Sequence, residues 1–325
     1  MHPAFSVILL TTLIGAGQGL FLALYTGQLY SLAHLLPAQN DVFYFYGSLI
    51  ALVLLVGGLI ASFFHLGRPE RAWRAASKGR TSWLSREVIV LPIVMILISA
   101  YGLTHHFGLT EPLFVVAGNL SVDLSLIIGL LATIATFALF ICTAMIYASV
   151  KFLQEWYSPL TVANFTFLGI ASGFMLAAAY SAYLGNNLVG FFGTLAVIAT
   201  VMGLISLSWS MARNGRIKHK STVQTAIGVR HMALTQKAQG ATGGSFNTRE
   251  FFHGKTLGTL RRVRTLFLIL VFPVPVMLIG TAYWLESPTL PLAAFAIQYL
   301  GLIAERWYFF TEARHPQNLY YQSVA

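Results

Sequence analysis

Long apolar runs alternate along the chain with polar interruptions, and the interruptions carry most of the charge. Eight runs reach the roughly 20 residues that a helix needs to cross the hydrocarbon layer of a bilayer. They predict helices over Phe5–His34, Tyr44–His65, Trp83–Thr104, Leu124–Val150, Pro159–Leu184, Leu188–Ala212, Val263–Leu285 and Leu290–Thr311. Lipid offers backbone amides no partner, so each run must satisfy its own hydrogen bonds, and a helix does this. Pro273 and Pro275 predict a kink in the seventh helix. The first run lacks a charged leader and is too long for a signal-peptide core, so it reads as a span. The expected fold is an all-α membrane protein, a bundle of eight transmembrane helices forming one domain over residues 1–325.

The charges fix an expected orientation. With eight spans, both termini share a side with the 2–3, 4–5 and 6–7 connections. Arg68, Arg71, Arg74, Lys78, Arg80 and Arg86 fall in the 2–3 region, Lys151 in the 4–5 loop, and eleven basic residues between Arg213 and Arg264. The opposite connections hold no Lys or Arg; they carry Asp41, Glu111, Asp123 and Glu286. Basic loops stay in the cytoplasm, so both termini are expected there, in a bacterial inner membrane. One missed span would scatter the basic residues over both faces. Residues 213–262 form the one long basic loop. It reads either as a solvated connection or as a docking surface for a cytoplasmic partner.

Composition agrees. Apolar residues make up 57% of the 325 and charged residues 9%, against about 25% charged in a soluble domain. The net charge of +10 is explained by loops that meet anionic headgroups, and no nucleic-acid partner is expected. The single cysteine, Cys142, lies inside an apolar run. It cannot hold an iron–sulfur cluster, which takes about four thiolates.

Ionisable groups near membrane depth are rare, and they converge. Helix 2 ends in Phe63-Phe64-His65-Leu66-Gly67-Arg68-Pro69-Glu70-Arg71, and helix 3 starts from the same side with Ser82-Trp83-Leu84-Ser85-Arg86-Glu87. Helix 8 brings Glu305-Arg306 to within one or two turns of its inner end, and Asn164 lies at similar depth. His65, Glu87, Glu305 and Arg306 therefore belong to one inner layer. Such groups suit a quinone head, which needs hydrogen-bond donors and a proton supply. Phe63, Phe64, Trp73 and Trp83 could line a slot for its ring. The other reading is structural: interfacial side chains, plus a Glu305–Arg306 ion pair that locks helix ends.

Gly15-Ala16-Gly17-Gln18-Gly19 lies within helix 1, so close helix packing is expected there and no dinucleotide loop. His34, His105 and His106 fall at outer helix ends; haem is not expected, and no metal site is. A secondary transporter would place polar groups at the midplane, where these runs are almost purely apolar.

The stretch His65-Leu66-Gly67-Arg68-Pro69-Glu70-Arg71-Ala72, followed by Ser82-Trp83-Leu84-Ser85-Arg86-Glu87, resembles the membrane-anchor subunits of dimethyl sulfoxide reductases. So does Glu305-Arg306 ahead of Tyr308-Phe309-Phe310. The resemblance implies a quinone (ubiquinone or menaquinone) site and a docked ferredoxin-like iron–sulfur subunit, linked to a catalytic subunit that carries molybdopterin. It implies His65 and Glu87 as the quinone-reactive residues. Gly67, Arg71, Trp73, Ser85, Arg86, Glu305 and Arg306 would lie around the ring. Clusters on a partner also account for the lone cysteine. The basic 2–3 loop places docking in the cytoplasm, whereas many dimethyl sulfoxide reductases carry their catalytic subunits outside. In this the chain looks more like the related membrane-bound sulfite dehydrogenases, which reduce quinone. The alternatives are an anchor of the dimethyl sulfoxide type that oxidises menaquinol, a passive anchor, and a transporter.

Overall fold

The computed structural model describes residues 1–116, 120–218, 222–234, 253–316 and 318. Its helices are α1 (Phe5–Leu32), α2 (Asp41–Phe63), α3 (Trp83–His106), α4 (Leu124–Ala148), α5 (Pro159–Tyr183), α6 (Val189–Asn214), the short α7 (Val223–Ile227), α8 (Leu257–Val271), α9 (Pro273–Leu285) and α10 (Thr289–Glu312). Seven segments are long and apolar enough to cross a membrane: α1 to α6, and α8 with α9 as one. Helix α10 has 24 residues but is not among the seven, because Gln298, Glu305 and Arg306 lower its mean hydropathy.

The long helices fall into two groups of four, with α8 and α9 taken as one segment. Helix α1 packs on α2, α2 on α3, α3 on α4, and α4 returns to α1. In the second group α5 packs on α6, α8 and α9 pack on α10, and α10 packs on α5. Contact between α1 and α5, with lesser contacts of α4 with α5 and of α1 with α10, joins the groups. The glycines expected to allow close packing lie on this seam. Gly15 and Gly19 of α1 face Gly169 and Gly173 of α5, and a Cβ on Gly19 would run into the Gly169 carbonyl oxygen. Small residues four apart on both helices let the backbones touch.

Several boundaries differ from the sequence expectation, for local reasons. Helix α2 starts at Asp41 because Asn40 caps it, its Oδ1 accepting from Phe43 N at 2.9 Å. The helix expected from Val263 begins at Leu257, where Thr256 Oγ1 accepts from Thr259 N at 3.2 Å. Arg261, Arg262 and Arg264 thus lie in its first turns and not in a loop. The kink expected from Pro273 is a break: Phe272 (φ −108, ψ −77) separates α8 from α9. A 3-10 helix, Pro69–Lys78, fills the 2–3 connection. An antiparallel hairpin pairs Pro112–Val116 with Leu120–Asp123. Neither was expected. Of the loop over 213–262, residues 219–221 and 235–252 lie outside the described residues.

At the acidic end a buried polar chain ties α1, α3 and α4 together, and a second contact ties α2 to α3. Tyr101 Oη donates to Gln28 Oε1 (2.8 Å), Gln28 Nε2 to Ser125 Oγ (2.6 Å), and Ser125 Oγ to Asp123 Oδ1 (2.7 Å). His105 Nδ1 stands 2.7 Å from Asp41 Oδ1, with its ring stacked on Tyr44. This histidine serves the packing of α2 against α3.

Candidate functional site

Glu87 owes its place to register. The buried residues of α3 include Glu87, Leu91, Val94, Ile98, Tyr101 and His105, a three- and four-residue repeat that turns one face inward. Glu87 is the first position of that stripe at the basic end. Its Oε1 accepts a 2.5 Å hydrogen bond from Thr143 Oγ1 of α4.

The turn before it is fixed by its neighbours. Ser82 caps α3, its Oγ accepting from Ser85 N at 3.3 Å. Ser85 Oγ accepts from Lys78 N at 3.0 Å. Arg86 donates through Nε to Gly79 O (2.9 Å) and through Nη2 to Arg80 O (2.8 Å), with its guanidinium over Trp83. Ser85 and Arg86 thus hold the end of the 3-10 segment against α3 and aim Glu87 into the bundle.

Glu305 and Arg306 are both buried. Arg306 Nε lies 3.2 Å from Glu305 Oε2, an ion-pair separation that lacks hydrogen-bond alignment. Glu305 Oε2 and Arg306 Nη1 have no hydrogen-bond partner among the described residues. The guanidinium stacks 3.7 Å above the centre of the Phe165 ring. Between α1, α4, α5 and α10, Arg306 and Thr143 line one cavity of about 20 Å³ together with Thr11, Thr12 and Gln18. That space holds a water-sized molecule and no ring. Thr143 therefore joins the two halves of the layer, bonded to Glu87 on one side and facing the Arg306 cavity on the other.

The remaining expected residues form a different environment. His65 follows the end of α2 and is exposed, and its ring makes no hydrogen bond among the described residues. Partial desolvation still lowers its pKa. Gly67 has open space where a side chain would stand. Arg71 is half-exposed and 3.9 Å from Glu70, and Trp73 is 70% exposed. Phe63 and Phe64 are exposed too, and no ring contact joins any two of Phe63, Phe64, Trp73 and Trp83 among the described residues. The expected aromatic slot is therefore an open rim. Asn164 Oδ1 is satisfied by Ser206 Oγ at 2.6 Å.

Sequence reasoning missed Thr143, Tyr147 and Trp156. Tyr147 packs against Trp156, Phe165, Phe309 and Phe310, and Trp156 Nε1 donates to Phe309 O at 3.0 Å. The four-residue spacing of Thr143 and Tyr147 placed both on one face of α4, but nothing in the sequence said which helix that face meets.

The whole chain has known relatives. It is 69% identical over all 325 residues, covering the full length of both proteins, to the C subunit of a sulfite dehydrogenase from Allochromatium vinosum. Residues 1–307 match the family described as DMSO reductase anchor subunit (DmsC). A multi-pass bundle with its charged side chains gathered at the basic end fits a membrane anchor within an oxidoreductase complex, and the chain belongs to the DMSO reductase anchor subunit family.

Proposed function

We propose that the chain is the quinone-binding membrane subunit of a sulfite dehydrogenase, passing electrons from a docked iron–sulfur subunit to the quinone pool. Sulfite would be oxidised at molybdopterin on a further subunit. The full-length likeness to a sulfite dehydrogenase's C subunit supports the substrate. The observation that carries the site is Glu87, a buried carboxyl bonded to Thr143 at the basic end, the end at which α2 stops just short of the exposed His65. The quinone head is a substrate that meets this rim from the bilayer. His65 offers a hydrogen bond to one carbonyl oxygen, and Gly67 keeps the approach open. Glu87 supplies a proton from within. Ser85 and Arg86 position Glu87, and Arg71 and Trp73 flank the entry. The 20 Å³ cavity behind Thr143 is a water position and not the ring site. An anchor of the dimethyl sulfoxide type, drawing electrons from menaquinol, is the second reading, supported by the family match.

We further place α10 as the eighth span. Its two charged side chains at depth face each other and the bundle, which removes their cost to lipid. Both termini and loop 213–262 then lie in the cytoplasm, the side on which partner subunits dock, within one membrane domain. In a Cys142→Ser background, a cysteine at Arg230 should react with an impermeant maleimide only in inside-out vesicles. One at Glu111 should react only in right-side-out vesicles. The opposite pattern would reverse the orientation.

A fluorescent quinone-site inhibitor titrated into membranes holding the intact complex tests the site. His65→Ala should weaken its binding about tenfold, the equivalent of one net hydrogen bond of about 1.4 kcal/mol. Unchanged binding in that variant, or none in the parent, would remove the quinone rim from the neighbourhood of His65.

A further inference from the structure

Reduction of a quinone consumes two protons, and Glu87 is buried, so it must be resupplied. A polar pocket of about 430 Å³ lies at the basic end between α6, α8 and α10; Glu155, Asn214, His253, Arg264, Tyr308 and Glu312 are among its lining. No sequence motif pointed to it. Glu312 is held there by Asn214 Nδ2, which donates to its Oε2 at 3.0 Å, and by Tyr308 Oη, 3.4 Å from its Oε1.

Positions 301, 305, 308 and 312 of α10 recur at three- and four-residue steps, so they share a face. That face looks onto α8: Gly301 packs on Leu270 and Val271, and the Tyr308 ring lies 5.4 Å from that of Phe267. Glu312, Tyr308 and Glu305 therefore form an ascending series, about one helical turn or 5 Å apart. The series leads from the pocket to a buried carboxyl whose Oε2 is ion-paired with Arg306 and makes no hydrogen bond among the described residues. Beside Glu305, Arg306 reaches the cavity whose far wall, Thr143, bonds Glu87. Apolar side chains of Phe267, Leu168 and Leu302 cluster in this part of the bundle.

We infer that Glu312, Tyr308 and Glu305 are the proton inlet for the quinone site, passing protons from the polar pocket to the water-sized cavity at Arg306 and on through Thr143 to Glu87. Glu312 takes a proton from water in the pocket. The Tyr308 hydroxyl hands its own proton inward and is reprotonated by Glu312, and Glu305 passes the proton to the cavity. Two electrons arrive from the partner's iron–sulfur subunit. Two protons arrive by this route, two O–H bonds form at the quinone oxygens, and quinol leaves. Arg306 carries no proton; paired with Glu305, it stands between that carboxyl and the cavity it lines.

This inference rests on the proposed quinone reading, and its test separates the two. Glu312→Gln and Tyr308→Phe each keep the shape of the side chain. In membranes holding the intact complex, each should slow quinone-coupled sulfite oxidation about tenfold and raise its solvent isotope effect. Inhibitor affinity at the quinone site should stay at the parental value. Formate, a small weak acid able to enter the pocket, should restore much of the rate in Glu312→Gln. Parental quinone-coupled rates in both variants would overturn the inlet and leave the quinone site standing. So would a loss without an isotope effect or rescue, which marks a structural role. A parent complex that binds no inhibitor would remove the quinone reading itself.

Discussion

Glu87→Gln should lower quinone-coupled turnover by about 100-fold or more, within the range of a positioned acid–base group. Oxidation of sulfite with a dye that takes electrons from the partner subunits should continue. The substitution is close to isosteric. A glutamine oxygen can still accept from Thr143 Oγ1, which now bonds Glu87 at 2.5 Å, so the contact between α3 and α4 survives. What is lost is the exchangeable proton. The two assays separate this from unfolding, because a complex that failed to assemble on the membrane would lose both. Quinone-coupled turnover at the parental rate would exclude Glu87 as the proton source.

Gly173→Ala should prevent recovery of a folded chain. A methyl group there would collide with the backbone of Gly19 and Leu20 across the α1–α5 seam. Backbone cannot rotate away as a side chain can, so the helices must part. Overpacking of this kind costs about 3 kcal/mol, and α1–α5 is the most extensive of the contacts that join the two groups. Gly280→Ala is the control, since nothing lies within 4 Å of a Cβ at Gly280. The measurement is the monodisperse fraction and the melting temperature of detergent-solubilised protein. If Gly173→Ala and Gly280→Ala behaved alike, the seam would not be what holds the groups together.

The span pattern was legible because lipid imposes a single rule on every segment. Where local caps override hydropathy, the reading slipped: Asn40 and Thr256 start their helices earlier than the apolar runs suggest. Helix α10 shows the converse. Its Glu305–Arg306 pair lowers its hydropathy, yet the two charges face each other inside the bundle. The expected meeting of Glu87 with Arg306 is indirect. It runs through Thr143 and a small cavity, a residue no motif marks. His65 and Trp73 lie on an open rim, so aromatic residues close in sequence do not by themselves make a slot. The Glu312–Tyr308 pocket was invisible because its lining comes from α6, α8, α10 and the loop before α5.

By itself the sequence determined the apolar spans, the separation of basic from acidic connections, and the inward stripe of α3 that starts at Glu87. These follow from hydropathy, charge and helical period, which are properties of single segments. The tertiary structure alone decided which helices meet: the glycine seam of α1 with α5, the Thr143 bridge, and the pocket beneath Glu305. Contacts between helices depend on how side chains from distant segments fit together, and no local pattern encodes that fit.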